Sequence, residues 1–406
     1  MHKIERLLQT LAPKGVEFRK LGEVCEILDN RRIPIAKNKR NLGIYPYYGA
    51  NGIQDYIDSY IFDGDFVLVG EDGSVINKDN TPVVNWASGK IWVNNHAHVL
   101  QTKNELKLKF LYFYLQTIDV SYCVAGTPPK INQENLKKIQ IPIPPLEIQQ
   151  EIVKILDAFT ELNTELNTEL KARKKQYQYY QNMLLDFNGI NQNHQDAKER
   201  LAQKTYPKRL KSLLQTLVPK GVEFRKLGEV CEILDNRRIP IAKNKRNLGI
   251  YPYYGANGIQ DYIDSYIFDG DFVLVGEDGS VINKDNTPVV NWASGKIWVN
   301  NHAHVLQTKN ELKLKFLYFY LQTIDVSYCV AGTPPKINQE NLKKIQIPIP
   351  PLEIQQEIVK ILDQFSILTT DLLAGIPAEI EARKKQYEYY REKLLSFKPL
   401  TPQQRS

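Results

Sequence analysis

The sequence predicts an α+β fold in which two identical β-rich domains are joined by two long helices. Residues 13–157 and 219–363 are the same 145 letters, each position returning 206 places later without a substitution. A repeat of this length forms a domain with its own core, unlike the units of roughly 20–50 residues that stack into solenoids. Within the repeat, short β-branched and aromatic runs alternate with turn residues, and a long stretch with helical periodicity follows each copy.

The composition is that of an ordinary soluble chain large enough for two hydrophobic cores. Of its 406 residues, 42% are hydrophobic and 24% are charged. No apolar stretch approaches the ~18–20 residues that span a bilayer, and the first residues do not begin a signal peptide, so we expect a cytoplasmic protein. The 4 cysteines are two per repeat and lack metal-binding spacing, so we expect reduced structural thiols.

The net charge of +7 lies outside the repeats. One copy holds 17 Lys and Arg against 17 Asp and Glu, whereas residues 158–218 carry +4 and residues 364–406 carry +2. Inside each copy a basic run between positions 31 and 40 contains no acid, and acids follow between positions 55 and 79. A basic edge on a neutral domain is compatible with DNA contact. A solvated loop would show the same run, so charge alone leaves both interpretations open.

The chain begins with an amphipathic segment at residues 2–11, where Ile4, Leu7, Leu8 and Leu11 share one helical face. From residue 16 to about residue 99 the pattern changes to strands separated by turns such as Gly49–Gly52. The run from Phe66 to Val69 predicts a buried strand. Residues 106–115 predict a short core helix, and residues 139–143 a last strand.

Two long helical segments follow the two copies. Residues 146–187 contain neither Gly nor Pro, and apolar residues recur at steps of three and four, which predicts one helix about 60 Å long at ~1.5 Å per residue. A helix of that length needs a partner, so we expect the stretch after the second copy to pack antiparallel to it, as in a coiled coil. Gly375 and Pro377 should kink or break this second helix.

These patterns predict six segments. They are a first domain at 1–145, a long helix at 146–187, a polar linker at 188–212, a second domain at 213–351, a second long helix at 352–398 kinked near Pro377, and a disordered tail at 399–406.

No motif for nucleotide hydrolysis, dinucleotide binding or amino-group methylation occurs in the sequence. His96 and His98 would point to opposite faces of a strand and would make a poor metal pair. We therefore predict no catalytic and no metal-binding residues. The alternative is a stand-alone nuclease whose carboxylates include Asp65, Glu71 and Asp72.

The sequence resembles the DNA-specificity subunits of type I restriction–modification systems, over nearly the whole chain. The similarity rests on ordered motifs that occur twice. They are Leu21-Gly-Glu-Val24, Tyr45-Pro-Tyr-Tyr-Gly-Ala-Asn-Gly52, Asp63-Gly-Asp-Phe-Val-Leu-Val-Gly-Glu-Asp-Gly73, Trp92-Val-Asn-Asn-His-Ala-His-Val99, Gly126-Thr-Pro-Pro-Lys130, Ile141-Pro-Ile-Pro-Pro145 and Ala172-Arg-Lys-Lys-Gln-Tyr177. The type IC branch is most similar, because the first long helix carries Thr-Glu-Leu-Asn at 160–163 and again at 164–167.

The resemblance implies two target-recognition domains related by an approximate two-fold axis, each reading half of a split DNA site. The helices would act as a ruler and as docking surface for two adenine-methyltransferase subunits, which bring S-adenosylmethionine. Two motor-nuclease subunits, with ATP and magnesium, could add restriction, and this chain would carry no catalysis or cofactor itself. Tyr177, Tyr180 and Leu184 cannot all face one antiparallel helix, so we expect them to belong to the docking surface. The identity of the two domains departs from the usual family pattern and predicts a palindromic site.

The candidate DNA contacts follow from charge and from hydrogen-bonding capacity. The predicted phosphate contacts are Arg31, Arg32, Lys37, Lys39, Arg40, Lys78 and Lys130, with Arg237, Arg238, Lys243, Lys245, Arg246, Lys284 and Lys336 in the second copy. The predicted base contacts are Tyr48, Asn51, Asn94 and Asn95, with Tyr254, Asn257, Asn300 and Asn301. Asn51 before a glycine is also typical of a turn, and Asn94 of a loop anchor.

Overall fold

The computed structural model describes residues 2–73, 75–187, 190, 199–200, 203–279, 281–370 and 375–400. In the part of the chain that the structure describes, the first copy with its flanking helices contains thirteen α-helices and β-strands, apart from short 3₁₀ turns. In chain order these are α1 (His2–Leu11), β1 (Phe18–Lys20), α2 (Leu21–Val24), β2 (Cys25–Ile27), β3 (Leu42–Gly49), β4 (Gly52–Ile57), β5 (Phe62–Gly70), β6 (Val84–Val93), β7 (Ala97–Thr102), α3 (Leu108–Leu115), α4 (Gln133–Lys138), β8 (Gln140–Pro142) and α5 (Leu146–Leu185).

The second copy repeats this order. Its elements are α6 (Lys208–Leu217), β9 (Phe224–Lys226), α7 (Leu227–Val230), β10 (Cys231–Ile233), β11 (Leu248–Gly255), β12 (Gly258–Ile263), β13 (Phe268–Gly276), β14 (Val290–Val299), β15 (Ala303–Thr308), α8 (Leu314–Leu321), α9 (Gln339–Lys344), β16 (Gln346–Pro348), α10 (Leu352–Thr370) and α11 (Ile376–Leu395). None of the described helices combines the length and the apolar composition that a bilayer crossing requires.

A six-stranded mixed sheet forms the centre of each domain. In the first domain the strand order is β2-β7-β5-β6-β3-β4, and only the β3–β6 pair is parallel. A separate antiparallel pair joins β1 to β8 and so brings the two ends of the repeat together. The second domain has the same order and register.

The central strand β5 is buried on both faces, which explains its continuous apolar run. Val67 and Val69 belong to the larger core beneath α3, whereas Phe66 and Leu68 belong to a smaller core on the opposite face of the sheet. Alternate side chains of a strand point to opposite faces, so one strand supplies both cores. The predicted buried strand is therefore present.

The chain forms two compact units, one made of Met1–Asn167 with Glu379–Ser406 and the other of Thr168–Ala378. In the first unit, Leu394 and Leu395 of α11 join the core of the first domain, together with Ile148 and Ile152 of α5. In the second unit, α5 contributes its C-terminal part in the same way. Each domain is thus completed by the end of the long helical region that follows the other copy.

The expectation that Tyr177, Tyr180 and Leu184 form a docking surface is wrong. Leu184 is fully buried in the core of the second unit, and both tyrosines pack against that core. The ring of Tyr180 stacks on Phe365 with centroids 5.0 Å apart. These three residues are therefore covered by the chain's own second domain. A helix that packs on a domain needs a wider apolar face than a helix in a coiled coil does.

The segment boundaries differ from the predicted ones in three places. The second long segment is two helices, α10 and α11, with residues 371–374 outside the described residues and Pro377 at the second position of α11. The predicted linker 188–212 overlaps α6, whose Leu210 is buried along with Tyr206; residues 188–189, 191–198 and 201–202 are outside the description. In the predicted tail, the amide of Leu400 donates to the carbonyl of Val16 at 3.1 Å, while residues 401–406 are not described.

All 4 cysteines are buried and unpaired. Burial raises the pKa of the Cys25 and Cys231 thiols to about 12, which keeps them in the unreactive thiol form.

Candidate nucleic-acid interface

The basic run divides into exposed and engaged side chains. Lys37 and Lys39 lie on an exposed 3₁₀ turn, and neither has an ion pair with any residue that the structure describes. Arg31 is also exposed, with its guanidinium 4.6 Å from the centroid of the Phe62 ring and a hydrogen bond to the Ile61 carbonyl at 3.2 Å. These three cations are accessible to a phosphate.

Arg32 instead lies in a half-buried charge network. Its Nη1 donates to Glu71 Oε2 at 2.6 Å and to the Ala97 carbonyl at 2.8 Å, and its Nη2 lies 3.4 Å from Asp29 Oδ2. Only 11% of the side chain is exposed. The guanidinium therefore neutralises two acids inside the domain, and this corrects its prediction as a phosphate contact.

The buried side chain of His98 also belongs to this network. Its Nδ1 lies 2.6 Å from Asp29 Oδ2, and its Nε2 lies 2.8 Å from the carbonyl of Ile131. Burial alone would raise the pKa of Asp29, but the hydrogen bond and charge of His98 and the charge of Arg32 outweigh it and lower that pKa. Asp29 is thus held as a carboxylate at the edge of the core.

Asp29, Glu71 and His98 are close enough together to be considered as metal ligands. The cationic partner of this cluster is already supplied by the protein, because Arg32 contacts both acids and Lys130 Nζ lies 3.2 Å from Glu71 Oε1. The arrangement is that of a satisfied buried ion network rather than an open coordination site.

Arg40 is also engaged within the domain. Its guanidinium stacks 4.1 Å from the centroid of the Tyr47 ring, donates to Asp55 at 3.3 Å and donates to the Ile35 carbonyl at 3.0 Å. Its side chain is 13% exposed. Arg40 therefore fixes the end of the basic run against the sheet, and its guanidinium is engaged within the domain and not free for a phosphate, which corrects its prediction as a phosphate contact.

The predicted base contacts divide in the same way. Tyr48 and Asn94 are buried, whereas Asn51 and Asn95 are exposed in turns. Asn94 is a loop anchor, because its Oδ1 accepts the amide of His96 at 2.8 Å and its Nδ2 donates to Gln54 Oε1 at 3.4 Å. The predictions for Tyr48 and Asn94 are therefore corrected, since neither side chain is open to a base edge.

The two remaining lysines differ in their surroundings. Lys78 is exposed on the loop before β6. Lys130 is half-exposed and pairs with Glu71. The second copy places every candidate as the first does: Arg237, Lys243, Lys245, Asn257, Lys284, Asn301 and Lys336 are exposed, Arg238 and Arg246 are engaged, and Tyr254 and Asn300 are buried.

The carboxylates proposed for the nuclease alternative do not converge on one centre. Asp65 accepts a hydrogen bond from Ser88 at 2.5 Å, and Glu71 belongs to the Arg32 network. Asp72 pairs with Nδ1 of His96. Each acid therefore has its own partner.

Two groupings escaped the sequence analysis. The network of Asp29, Glu71 and His98 joins residues that are 42 and 27 positions apart, so no local spacing reveals it. The surface grouping of Gln54, Asp72 and His96 is likewise assembled from strand β4 and two separate loops. The order of the strands in the sheet, which the sequence does not show, brings both sets together.

Comparison with known proteins identifies the family. The family model for the type I restriction modification DNA specificity domain matches residues 13–175 and again residues 219–382. A Haemophilus influenzae chain described as a type I restriction enzyme specificity subunit is 35% identical over 97% of this chain and 98% of its own length. A type I restriction enzyme specificity subunit of Escherichia coli is 27% identical over 99% of this chain and 98% of its own length.

A solved structure has the same fold. The S subunit of a type I restriction–modification system from M. genitalium superposes with a TM-score of 0.63 at 16% identity, covering 95% of this chain and 97% of its own. These findings do not support the nuclease alternative. The chain belongs to the type I restriction–modification DNA specificity subunits, which recognise DNA and are not themselves catalytic.

Proposed function

We propose that each domain reads one half of a bipartite DNA site and that the two half-sites have the same sequence on opposite strands. The observation that carries this proposal is the identity of the two domains, which extends from sequence to the exposure and hydrogen bonds of every candidate contact. Identical reading surfaces accept identical bases, and a two-fold arrangement of the domains presents those bases as an interrupted palindrome.

The phosphate contacts of each domain are assigned to the candidate cations that are exposed and form no ion pair with the described residues of the domain. These are Arg31, Lys37, Lys39 and Lys78, with Arg237, Lys243, Lys245 and Lys284 in the second copy. Asn51 and Asn95 remain as base contacts because their amides are exposed. Phosphate contacts set the register of the protein on the duplex, and side-chain amides then discriminate between bases.

As a specificity subunit the chain works with DNA and with methyltransferase and restriction partners. We place two adenine-methyltransferase subunits on the helical region, with S-adenosylmethionine bound by them, and ATP and magnesium bound by the restriction subunits. Two exposed tyrosines, each two positions after the repeated Ala-Arg-Lys-Lys-Gln-Tyr motif, support this location: Tyr179 is 62% exposed and its equivalent Tyr389 is 58% exposed. Aromatic residues are enriched at protein interfaces. The complex acts on the genome, so we place it in the cytoplasm.

Reconstitution tests the proposed function. The full chain is purified with its cognate methyltransferase and incubated with S-adenosylmethionine and a random duplex library. We expect methylated adenine only when both proteins are present, and a complex mass equal to one chain and two methyltransferase subunits. Methylation by the methyltransferase alone, or a chain that forms no complex, would contradict the proposal.

A further inference from the structure

An open cleft of about 430 Å³ lies at the surface of each domain, apart from the basic run. In the first domain its polar lining consists of Asn51, Gln54, Asp72 and His96, with Pro128 on one side. The second domain contains the same cleft, lined by Asn257, Gln260, Asp278, His302 and Pro334. The lining comes from the β3–β4 hairpin and from three loops that are distant from it in sequence, so the cleft is more than the gap beside a single turn.

The walls of the cleft are held in place from behind. Buried Asn94 accepts the amide of His96 at 2.8 Å and also bonds Gln54, so one side chain positions two members of the lining. The amide of Glu71 donates to the His96 carbonyl at 2.8 Å, and the amide of Gly73 donates to the Pro129 carbonyl at 3.1 Å. Recognition sites are built in this way, with exposed polar groups supported by a second layer of hydrogen bonds.

The turn at the mouth of the cleft also has a fixed backbone. Gly52 has a φ of +99°, in the left-handed region, and a Cβ at this position would lie 3.0 Å from Asn85 Oδ1. Only glycine fits this conformation without strain. Asn51, the residue before it, is therefore presented at a defined place and not on a freely changing loop.

The polar groups in the cleft retain unused hydrogen-bonding capacity. Asp72 uses one carboxylate oxygen to bind Nδ1 of His96. Among the residues that the structure describes, the other oxygen of Asp72, Nε2 of His96, the Asn51 amide and Nε2 of Gln54 have no protein partner. Hydrogen-bond donors and acceptors are therefore adjacent at the surface and available to an external ligand.

The charge of the lining selects the class of ligand. A carboxylate in the wall repels phosphate, so this cleft does not suit the DNA backbone. The lining is complementary to base edges in the major groove. Asp accepts a hydrogen bond from the exocyclic amino group of cytosine or adenine, and the side-chain amide of Asn or Gln pairs with adenine through both its oxygen and its nitrogen. The exposed lysines elsewhere on the domain meet the backbone instead.

We infer that this cleft is the base-reading site of each domain and that Asn51, Gln54, Asp72 and His96 determine which base is accepted at one or two positions of the half-site. The inference rests on the proposed function and assigns its specificity to particular side chains. It separates two surfaces of the domain: Lys37 and Lys39 supply affinity, and the cleft supplies sequence selection.

The duplication provides an internal control for the experiment. Asp72→Asn is introduced in the first copy only, Asp278 is left unchanged, and the full chain is expressed with its methyltransferase in a host whose methylated adenines are then mapped. The wild-type carboxylate accepts hydrogen bonds and so requires adenine or cytosine, whereas the new amide donates as well as accepts. The altered cleft should therefore also tolerate guanine or thymine, which present oxygen acceptors at the same position. We expect an asymmetric motif in which one half-site is unchanged and the other loses roughly tenfold or more of its discrimination at one position.

Two further variants complete the test. Asn51→Ala, at an exposed turn residue, should also relax one position of one half-site. If Asp72→Asn abolishes methylation, the motif of the Asn51→Ala chain tests whether the cleft reads bases. Asp63→Asn removes an exposed carboxylate outside the cleft and should leave the motif palindromic. An unchanged palindrome with both cleft variants would overturn the inference. The wild-type complex tests the proposed function separately. If it methylates no symmetric motif, the proposed function itself is rejected.

Discussion

Arg32 illustrates how burial decides the role of a charged residue. It stands next to Arg31 in a basic run, yet its guanidinium lies between Asp29 and Glu71 with 11% of the side chain exposed. Removing one partner of a buried ion network leaves the other charges without compensation, which costs more than the pair itself contributes. Arg32 therefore stabilises the domain, whereas Arg31 remains available to DNA.

Substitution of Arg32 should affect folding. We expect Arg32→Ala to lower the free energy of unfolding of the first domain by about 3 kcal/mol, because Asp29 and Glu71 lose the guanidinium that they share and keep only His98 and Lys130 as partners. The matched control Lys37→Ala, at an exposed lysine in the same run, should change it by less than ~0.5 kcal/mol. Urea denaturation followed by tryptophan fluorescence measures both. An Arg32→Ala chain of unchanged stability and reduced DNA affinity would contradict the structural role.

The lowered pKa of Asp29 predicts an acid-sensitive contribution to stability. A depressed folded-state pKa means that ionised Asp29 stabilises the fold fully above its ordinary pKa of 3.8, and that this contribution is lost as pH falls through the folded-state value. The difference in unfolding free energy between the wild type and Asp29→Asn should therefore be constant from pH ~7 to ~5 and shrink below pH ~4. A difference that stays constant to pH ~3 would show that Asp29 is not held as the carboxylate by its partners.

The exposed lysines should contribute affinity without selectivity. Replacing Lys37, Lys39, Lys243 and Lys245 with Gln should weaken binding to every duplex by a similar factor and reduce the slope of log affinity against log salt by up to about 3–4. Fluorescence anisotropy at several salt concentrations, on specific and non-specific duplexes, measures both quantities. A loss confined to the specific duplex would assign these lysines to base reading.

The sequence predicted the exposure of some candidate contacts and not of others. Lys37, Lys39 and Asn51 are exposed as expected. Arg40 and Asn94 carry the same local signals, and they are turned inward by Tyr47 and by Gln54, which reach them through the β3–β4 hairpin. Charge and residue type do not reveal such tertiary partners.

At the scale of elements, α5 is the longest, with 40 residues in one helix. The Thr-Glu-Leu-Asn repeats lie inside it, and threonine hydroxyls bond back to carbonyls four residues earlier, as Thr164 does to Thr160 at 2.8 Å. The border between the two compact units, Asn167 to Thr168, falls directly after the second of these repeats. We propose that the number of repeats sets the length of the unspecified spacer in the DNA site.

Deletion of one repeat tests this ruler. Four residues of an α-helix add about 6 Å and a net rotation of about 40°, and one base pair of B-DNA adds about 3.4 Å and about 36°. The two helical regions already differ by four residues, since Asp157 to Ala172 spans 15 positions and Asp363 to Ala382 spans 19. Deleting Thr164–Asn167 should leave both half-sites unchanged and shorten the preferred spacer by one base pair.

The measurement is methylation of synthetic duplexes with constant half-sites and spacers that differ by single base pairs. The leucine stripe survives the deletion, because Leu162 is then followed four places later by the residue that was Leu170. A deleted chain that keeps the parental spacer optimum would exclude the helix as the ruler.

Periodicity predicted the elements well where a single rule governs them. The 3.6-residue spacing after residue 146 gives the long helix, and the apolar run in β5 gives the buried strand. The surface that covers Tyr177 and Tyr180 could not be predicted, because an apolar helix face does not indicate which part of a protein packs on it. Tyr177 and Tyr180 pack on the second domain of the same chain, and not on a partner subunit.

At the scale of the whole molecule, the duplication is the dominant fact. Both copies have the same strand order, the same engaged arginines, the same exposed lysines and the same open cleft. Under the proposed function each domain reads one half-site, so two identical domains predict one half-site used twice.

Genome-wide mapping of methylated adenine in a host that expresses this chain with its methyltransferase tests that claim most directly. Two identical domains predict one bipartite motif whose halves are reverse complements separated by unspecified bases, methylated on both strands. An asymmetric bipartite motif, with different bases in its two halves, would contradict the account.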